Sequence, residues 1–215
     1  MKIKTLEVSG FIGCLESLRL PYKLECRSNW QEDQSVFDDI MSAGDFKHLY
    51  QAGTMINIHN KDLKLLQTLI KRGDEHAKSV RLINATASIN APLFWWSEEN
   101  TYVTGVTRGC SESTMHTLEN EELTKDSFEY DVEQHRIYEI NDCIFCIKED
   151  YDDTGIEHVK NLLPSGYLQT RIINYNYQTL RRIWLQRENH KLPQWKVFID
   201  WIKTLPLANE LILIK

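Results

Sequence analysis

The chain has 215 residues, of which 42% are hydrophobic and 26% charged, a globular composition long enough to build one sizeable core. A formal net charge of −6 excludes the basic surface of a general nucleic-acid-binding protein and a polybasic membrane anchor. The sequence has no long apolar run, and its amino terminus lacks the apolar core of a signal peptide. We therefore expect a cytoplasmic protein that binds a small molecule rather than polymeric nucleic acid or a membrane.

The beginning of the chain predicts a strand followed by a helix. "KIKTLEV" alternates as a strand does, Gly10 interrupts it, and "FIGCLESLRL" has apolar residues at helical spacing. Between residues 24 and 58 the pattern weakens, so we expect loop, with at most one helix near "DFKHLYQAG".

The next elements are more clearly marked. "NKDLKLLQTLIKRG" predicts a helix with Asn60 as its N-cap and Gly73 at its end. "RLINATASI" alternates and predicts a strand, after which Pro92 marks the start of a short helix, "LFWWSEEN". "TYVTGVTRGCSEST" is β-branched and polar, which favours extended or turn structure.

Residues 117–155 form the most acidic region of the sequence. We expect a solvated, helix-rich insertion ending in the loop "EDYDDTG"; a carboxylate metal cluster is the alternative, although the run lacks the spacing of a calcium loop. Within this region, "CIFC" at 143–146 could be half a zinc site or a redox pair. It has no second CxxC or HxxxH, and an odd total of five cysteines suits buried, reduced thiols.

Three helices are expected in the last third of the chain: "GIEHVKNLLPSGY", closed by Pro164, then "NYNYQTLRRIWLQRENH" and "PQWKVFIDWIKTL". The second carries a stripe that begins at Asn176 and ends at Arg187. A cation on a buried stripe needs a partner. Arg187 could pair with an internal carboxylate, snorkel past Trp184, or meet an anionic ligand in a cleft. Basic residues bunch nearby, at Arg171, Arg181, Arg182 and Arg187.

The segment "HVKNLLPSGYLQTRIINYNYQTLRRIWLQRENHKLPQW" resembles the carboxy-terminal region of flavin-dependent thymidylate synthases, the ThyX family. The family pattern is R-x-x-L-P, then T, N-x-R-x-L, L-R and A-Q-x-E. The resemblance places Lys160 at the arginine that binds the nucleotide phosphate and Asn176 at the asparagine that contacts flavin. It places Gln178 at a family arginine, and Arg187 at the arginine that helps to ionise N3 of the uracil ring.

The resemblance continues upstream, with one departure. "LEVSGFIGCLESL" is similar to the family's opening, and the spacing from His76 to Pro92 looks like that of its histidine-bearing turn. However, Thr101, Tyr102 and Val103 occupy the R-H-R signature that grips flavin and nucleotide.

In the same register, Glu98 replaces a glutamine that touches the base, Ser111 matches a phosphate-binding serine, and Ser113 stands at a later arginine. A small gap would instead bring Arg108 or His116 to these positions.

The family resemblance implies an α/β (α+β) fold with a twisted, mainly antiparallel sheet packed by helices. It also implies a single ThyX-like domain over 1–215, with the acidic insertion at about 117–155, that assembles as a homotetramer. The implied function is flavin-dependent C5 methylation or hydroxymethylation of a pyrimidine deoxynucleotide such as dUMP, with FAD, NADPH and methylenetetrahydrofolate. The alternative, favoured by the loss of R-H-R, is a catalytically inactive nucleotide-binding protein.

The implied site residues fall into three groups. Arg187 is the catalytic residue, which polarises the base. The residues that bind substrate, besides Arg187, are Lys160, Ser111, Glu98 and Ser113. The residues that bind cofactor are His76, Asn176, Gln178, Arg182 and Tyr102. Trp95 or Trp96 would stack on a ligand ring; because neighbours on a helix point about 100° apart, at least one belongs to the core or an interface.

Overall fold

The computed structural model describes residues 1–31, 45–51, 53–118, 120–149 and 155–215. In these ranges the strands are β1 (Lys2–Ser9), β2 (Asn29–Gln31), β3 (Phe46–Gln51), β4 (Thr54–His59), β5 (Asn84–Pro92), β6 (Val106–Ser111) and β7 (Leu168–Asn176). The helices are α1 (Phe11–Leu18), α2 (Asn60–Arg72), α3 (Leu93–Glu99), α4 (Thr114–Thr117), α5 (Gln134–Lys148), α6 (Ile156–Leu162), α7 (Tyr177–Arg187), α8 (Pro193–Lys203) and α9 (Ala208–Leu211). Among the helices of these ranges, none combines the length and apolarity needed to cross a bilayer.

The strands form two sheets. Four strands pair in the order β1-β5-β7-β6, and three shorter ones in the order β2-β4-β3. In the smaller sheet β4 is antiparallel to both neighbours, with Asn57 opposite Asn29 on one side and His48 on the other. The predicted α/β combination of helices with mainly antiparallel sheet is confirmed.

The prediction of a helix near "DFKHLYQAG" is wrong. Residues Phe46–Gln51 form β3, which pairs with β4 from Phe46 opposite His59 to Gln51 opposite Thr54. Gly53 has φ 83°, so the chain can reverse tightly between the two strands. Pairing with a neighbouring strand thus overrides a weak local helical pattern. Much of the loop expected between 24 and 58 falls on 32–44, outside the described residues.

The strand and helix at the start of the chain are confirmed. Gly10, between them, has φ 90°, and a Cβ there would overlap the backbone of Leu82. Only glycine therefore lets β1 turn into α1 at this point. The apolar face of α1 is buried as predicted, through Phe11, Cys14, Leu15 and Leu18.

Helix α2 lies where the sequence predicts it, but a different residue caps it. The N-cap is His59, whose Nδ1 accepts a hydrogen bond from the Lys61 amide, and Asn60 is the first helical residue. Gly73 ends the helix, as expected, with φ 120°.

Within its first turn, α2 buries Asp62 completely. Its two oxygens accept hydrogen bonds from the Arg19 side chain, from the amides of Arg27 and Ser28 and from the Ser28 hydroxyl, each at 2.8 Å. Burial alone would raise the pKa of Asp62, but these donors outweigh it and hold the pKa below its usual range. This carboxylate therefore fixes the 27–28 turn onto α2.

The helix predicted over 174–190 is too long at its amino end. Residues Asn174–Asn176 complete β7, and α7 starts at Tyr177. Asn176 is the N-cap, and its side chain accepts a hydrogen bond from the Thr179 amide at 2.8 Å. An asparagine thus stands before the buried stripe because it caps the helix. The helix predicted as the last one is confirmed as α8, with Trp195, Phe198, Ile199 and Ile202 buried, and the short helix α9 follows it.

The contacts of the chain divide it into two compact units. The first unit comprises Met1–Lys4, Ser88–Val103 and Arg108–Ile173. Its core includes a cluster to which α5 contributes Ile137, Ile140 and Ile144. The acidic region is therefore not solvated on all sides. Its loop at 150–154 lies outside the described residues, and the reading of 117–155 as an insertion into a single domain stays a prediction.

The second unit comprises Thr5–Ala87, Thr104–Thr107 and Asn174–Lys215. Its core is rich in aromatic side chains. Tyr175 meets Phe198 edge-on with the ring centroids 5.5 Å apart, and Phe198 in turn contacts Trp195 and Trp201. Because most α7 and α8 side chains that face this core are fully buried, the two helices give rigid support to the polar groups at their ends.

Candidate functional site

The residues predicted to bind ligands fall in both units. The second unit contains His76, Asn176, Gln178, Arg182 and Arg187. The first contains Glu98, Tyr102, Ser111, Ser113 and Lys160.

The start of α7 brings two of the predicted residues together. The Asn176 amide donates to the Gly105 carbonyl at 3.0 Å. The preceding carbonyl, of Thr104, accepts from the Thr179 hydroxyl at 2.7 Å and from Arg182 Nη2 at 3.0 Å. We call this group, Thr104, Gly105, Asn176, Thr179 and Arg182, the α7 N-terminal site.

Gly105 allows this close packing. It has φ 75°, and a Cβ at this position would collide with Asn176 Nδ2 and Thr179 Oγ1 and lie 2.8 Å from Asn176 Cγ. The 104–105 turn can therefore approach the end of the helix only because the residue has no side chain.

Two nitrogen donors of the α7 N-terminal site are not used by the described part of the chain. Arg182 Nε is buried without a hydrogen-bond partner there. Asn176 uses its side-chain oxygen for the cap, while Nδ2 makes no hydrogen bond with any described residue. Asn176, the N-cap, lies at the positive end of the helix dipole, where an electron-rich or anionic group is favoured.

Gln178 is committed to internal contacts. Its amide oxygen accepts from Arg81 Nε, and its amide nitrogen donates to the Asp74 carbonyl at 2.8 Å. Arg81 Nη2 donates to the same carbonyl at 3.1 Å. Gln178 therefore joins α7 to the turn that carries His76. The His76 side chain is half exposed and lies 3.6 Å from Glu75.

Arg187, at the other end of α7, is half-buried and packs on an aromatic ring. Its guanidinium carbon lies 4.7 Å from the centroid of the Trp195 ring. Arg187 follows Asn176 by eleven residues, which corresponds to about 16 Å along the helix axis. The stripe on α7 thus does not bring Arg187 to the α7 N-terminal site. This cation–π contact restrains the orientation of the guanidinium.

In the first unit both adjacent tryptophans of α3 belong to the core. Trp95 and Trp96 are at most 1% exposed and meet edge-on at 4.9 Å. Trp96 Nε1 donates to the Gln169 carbonyl at 3.0 Å. The expectation that one of them stacks on a ligand ring is therefore wrong, because the core covers both.

Two arginines converge on the end of α3, close in sequence to the position of the missing R-H-R signature. Arg171 lies 4.5 Å above the Trp96 ring and donates to Asn100 Oδ1 at 3.2 Å. Arg108 donates to the Tyr102 carbonyl at 3.0 Å and pairs with Glu99 at 3.2 Å. Glu99 is completely buried. The sequence predicts no role for Glu99, since no feature of the neighbouring residues distinguishes it from Glu98.

The two serines predicted to bind substrate, Ser111 and Ser113, flank Glu112, which is fixed to β7. The Glu112 amide donates to the Thr170 carbonyl at 2.9 Å, and its carboxylate accepts from the Thr170 amide at 2.6 Å. Ser111 is exposed at the end of β6, and Ser113 is the N-cap of α4. Arg171 directly follows Thr170 in β7, so the pairing of Thr170 with Glu112 places Arg171 beside the segment that carries both serines.

The remaining predicted residues are more dispersed. Lys160 is half-buried in the last turn of α6, and Glu98 is half-buried on α3. Tyr102 contributes its carbonyl to Arg108.

The cysteines of "CIFC" lie on α5, both partly buried, and Cys143 packs against the apolar cluster. Among the described residues, no group of histidine, cysteine or acidic side chains is arranged to hold a metal ion.

No family model and no curated protein sequence matches the chain. Among solved structures, it is similar to two of ThyX from Helicobacter pylori, both with FAD and dUMP. They are 12% and 13% identical to it, with a TM-score of 0.66; each match covers 99% of this chain, and 97% and 98% of those chains.

The chain is also similar to the UMP/dUMP methylase PolB from Streptomyces cacaoi, bound to 5-Br dUMP. This match has 11% identity and a TM-score of 0.54, and it covers 98% of this chain and 93% of PolB. Likeness over nearly the full length of both partners, at such low identity, establishes a shared architecture. The chain has the fold of the flavin-dependent thymidylate synthases, in a divergent form without their R-H-R signature.

Proposed function

We propose that this protein is a divergent flavin-dependent enzyme that methylates or hydroxymethylates C5 of a pyrimidine deoxynucleotide such as dUMP. The observation that carries the proposal is the ThyX-like fold over 99% of the chain, in neighbours that were solved with FAD and dUMP. Because a fold alone does not fix a reaction, support must also come from the residues themselves.

The α7 N-terminal site supports flavin binding. Asn176 Nδ2 and Arg182 Nε would donate hydrogen bonds to FAD, and the buried position of Arg182 Nε makes an unfilled site costly. When bound, the flavin would supply the hydride, which it takes from NADPH, while methylenetetrahydrofolate supplies the carbon. Gln178 fits this role poorly, since both ends of its amide are used inside the protein.

For the nucleotide, we assign the base to Arg187. The contact with Trp195 orients the Arg187 guanidinium before the ligand arrives, so its N–H groups would stabilise negative charge that develops on the pyrimidine. This preorganisation favours the ionised base over the neutral one, which is the sense needed to make C5 nucleophilic.

For the phosphate, we assign Ser111, Ser113 and Lys160, assisted by Arg171. Arg171 is held on Trp96 and lies beside the serine segment; its guanidinium nitrogens already donate to Gln169 and Asn100, so it would contribute its positive charge rather than new hydrogen bonds. Arg108 is less suited, because its charge is balanced by the buried Glu99.

A second function is favoured by a specific observation. Thr101, Tyr102 and Val103 replace the R-H-R signature, and Gln178 replaces a further arginine. A protein with these losses could hold a nucleotide for sequestration, sensing or a structural role without catalysis. For either function we propose a homotetramer, as in the family it resembles.

One experiment separates the two functions. The protein is incubated with FAD, NADPH, methylenetetrahydrofolate and dUMP tritiated at C5, and tritium released into water is counted. We expect release that depends on FAD and falls at least about 100-fold in Arg187→Ala, as for loss of a preorganised transition-state contact. Arg136→Ala, on an exposed face of α5, is the matched control.

The same samples are then heated with dUMP, dTMP, dCMP or FAD. Because ligands that bind only the folded state raise the melting temperature, a rise with dUMP but no tritium release supports the binding protein. If no nucleotide and no flavin raises the melting temperature of the wild type, both functions are refuted.

A further inference from the structure

A cavity lies in the second unit, apart from the α7 N-terminal site. It has a volume of about 740 Å³ and is lined by the end of α1, the 20–22 turn, one face of α2 and the 75–82 segment. We call it the α1–α2 cavity. Its size is that of sites that accept drug-sized molecules.

One wall of the α1–α2 cavity is apolar. Leu65 and Leu69 of α2 line it, together with Leu20, Tyr22 and Leu82, which are 64%, 74% and 45% exposed. Such a group of exposed apolar side chains is unfavourable in water, and large ones mark binding sites.

The rim of the same cavity is cationic. Arg72 and Lys78 line it, both are exposed, and within the described residues neither forms an ion pair or a side-chain hydrogen bond. The only acidic group on the lining is Glu75, which lies 3.6 Å from His76 of the same rim. The chain has a net charge of −6, so a rim with two unpaired cations beside an apolar wall has a local charge opposite to that of the protein as a whole.

We propose that the α1–α2 cavity binds an amphiphilic organic anion: a small molecule with an aromatic or aliphatic body and a carboxylate or sulfonate group. The apolar body would cover Leu69, Leu20 and Tyr22, and the anionic group would pair with Arg72 and Lys78. Asn176 and Arg182 are not on the lining, whereas His76, which the family resemblance assigns to cofactor binding, lies on its rim, so the test includes competition by FAD.

The test is a fluorescence titration of the full chain with 1-anilinonaphthalene-8-sulfonate, an aromatic sulfonate that brightens in apolar surroundings. We expect a saturable increase with one site per chain. The double variant Arg72→Glu/Lys78→Glu should bind the probe at least about tenfold more weakly, since attraction becomes repulsion at both contacts. Lys64→Glu, on an exposed position of α2 that does not line the cavity, is the control and should bind as the wild type does.

An uncharged probe, N-phenyl-1-naphthylamine, separates charge recognition from general apolar binding. Its affinity should be the same in the double variant as in the wild type, which also shows that the cavity remains folded. The proposal is overturned if the double variant and Lys64→Glu bind the sulfonate equally well.

Two other outcomes also overturn it. Competitive release of the sulfonate by FAD would assign the cavity to the flavin. Loss of the signal with rising protein concentration, together with a doubled mass in sedimentation, would assign the apolar wall to a second copy of the chain. Because the titration requires neither flavin nor nucleotide, its failure leaves the proposed function unaffected.

Discussion

Replacing Gly105 by alanine tests whether the turn before β6 holds the start of α7 in place. The new Cβ would stand 2.8 Å from Asn176 Cγ and still closer to Asn176 Nδ2 and Thr179 Oγ1. Those side chains cannot move freely, because Asn176 caps the helix and Thr179 donates to the Thr104 carbonyl. The variant must therefore either shift the turn or break the cap.

The expected cost has two parts. A non-glycine residue at φ 75° costs about 1–2 kcal/mol. Losing the asparagine cap costs about 1 kcal/mol more. We therefore expect Gly105→Ala to lower the free energy of unfolding by roughly 2–3 kcal/mol.

Gly53→Ala is a matched control for the backbone part alone. Gly53 has a similar φ of 83°, but a Cβ there would meet no atom within 4 Å. We expect it to cost about 1–2 kcal/mol. The assay is urea unfolding at 25 °C followed by tryptophan fluorescence, with FAD affinity measured on the same proteins. If Gly105→Ala costs no more than Gly53→Ala, or leaves FAD affinity equal to that of Gly53→Ala, the proposed packing of this site is wrong.

Two further substitutions test the fold. Asp62→Asn should cost about 2–4 kcal/mol at neutral pH, because charge-assisted hydrogen bonds to a fully buried carboxylate are lost. Since folding lowers the pKa of Asp62, its contribution to the free energy of unfolding is complete above the unfolded pKa of about 4 and is lost as the pH falls through the folded value. In urea unfolding between pH 7 and 3, the stability of the wild type should therefore approach that of the variant. A difference in stability that stays constant over this pH range would contradict the reasoning. Ile140→Ala should cost about 2–5 kcal/mol by opening a cavity in the α5 cluster, and a thermal melt with under 1 kcal/mol of loss would show that α5 is not part of a core.

Elements marked by local signals could be predicted from the sequence. Helix α2 has an apolar period and Gly73 at its end, and α8 has Pro193 in its first turn; both formed where expected. The strand predicted over 81–89 formed in part as β5, in which Ala85, Ala87 and Ile89 alternate with polar residues and are buried, whereas Arg81 and Leu82 lie in a 3-10 helix before it.

Elements that depend on distant partners could not be predicted. Strand β3 exists because β4 pairs with it, and β7 occupies an inner position of its sheet although its sequence carries Gln169, Arg171 and Asn174. Such polar residues weaken a strand signal unless their partners are known. In the structure Asn174 donates to Thr86, and Gln169 to the Glu112 carbonyl.

The candidate site shows the same division. The family resemblance predicts that Asn176 and Arg182 bind flavin, and the structure adds that Asn176 caps α7 and that both residues contact the 104–105 turn. Gln178 forms hydrogen bonds with Arg81 and Asp74, which lie about 100 residues before it in the sequence. No local sequence pattern indicates such a contact. The buried Glu99 was missed for the same reason, since its partner Arg108 lies on another element.

The most direct measurement for the central claim is flavin retention by the pure protein. The chain is mixed with excess FAD, desalted, and its absorbance near 450 nm is compared with that of Asn176→Asp, which keeps the capping oxygen but removes the Nδ2 donor. We predict about one FAD per wild-type chain, a strongly reduced content in the variant, and similar melting temperatures for the two apoproteins. A colourless wild type that takes up no flavin at saturating FAD would contradict the account.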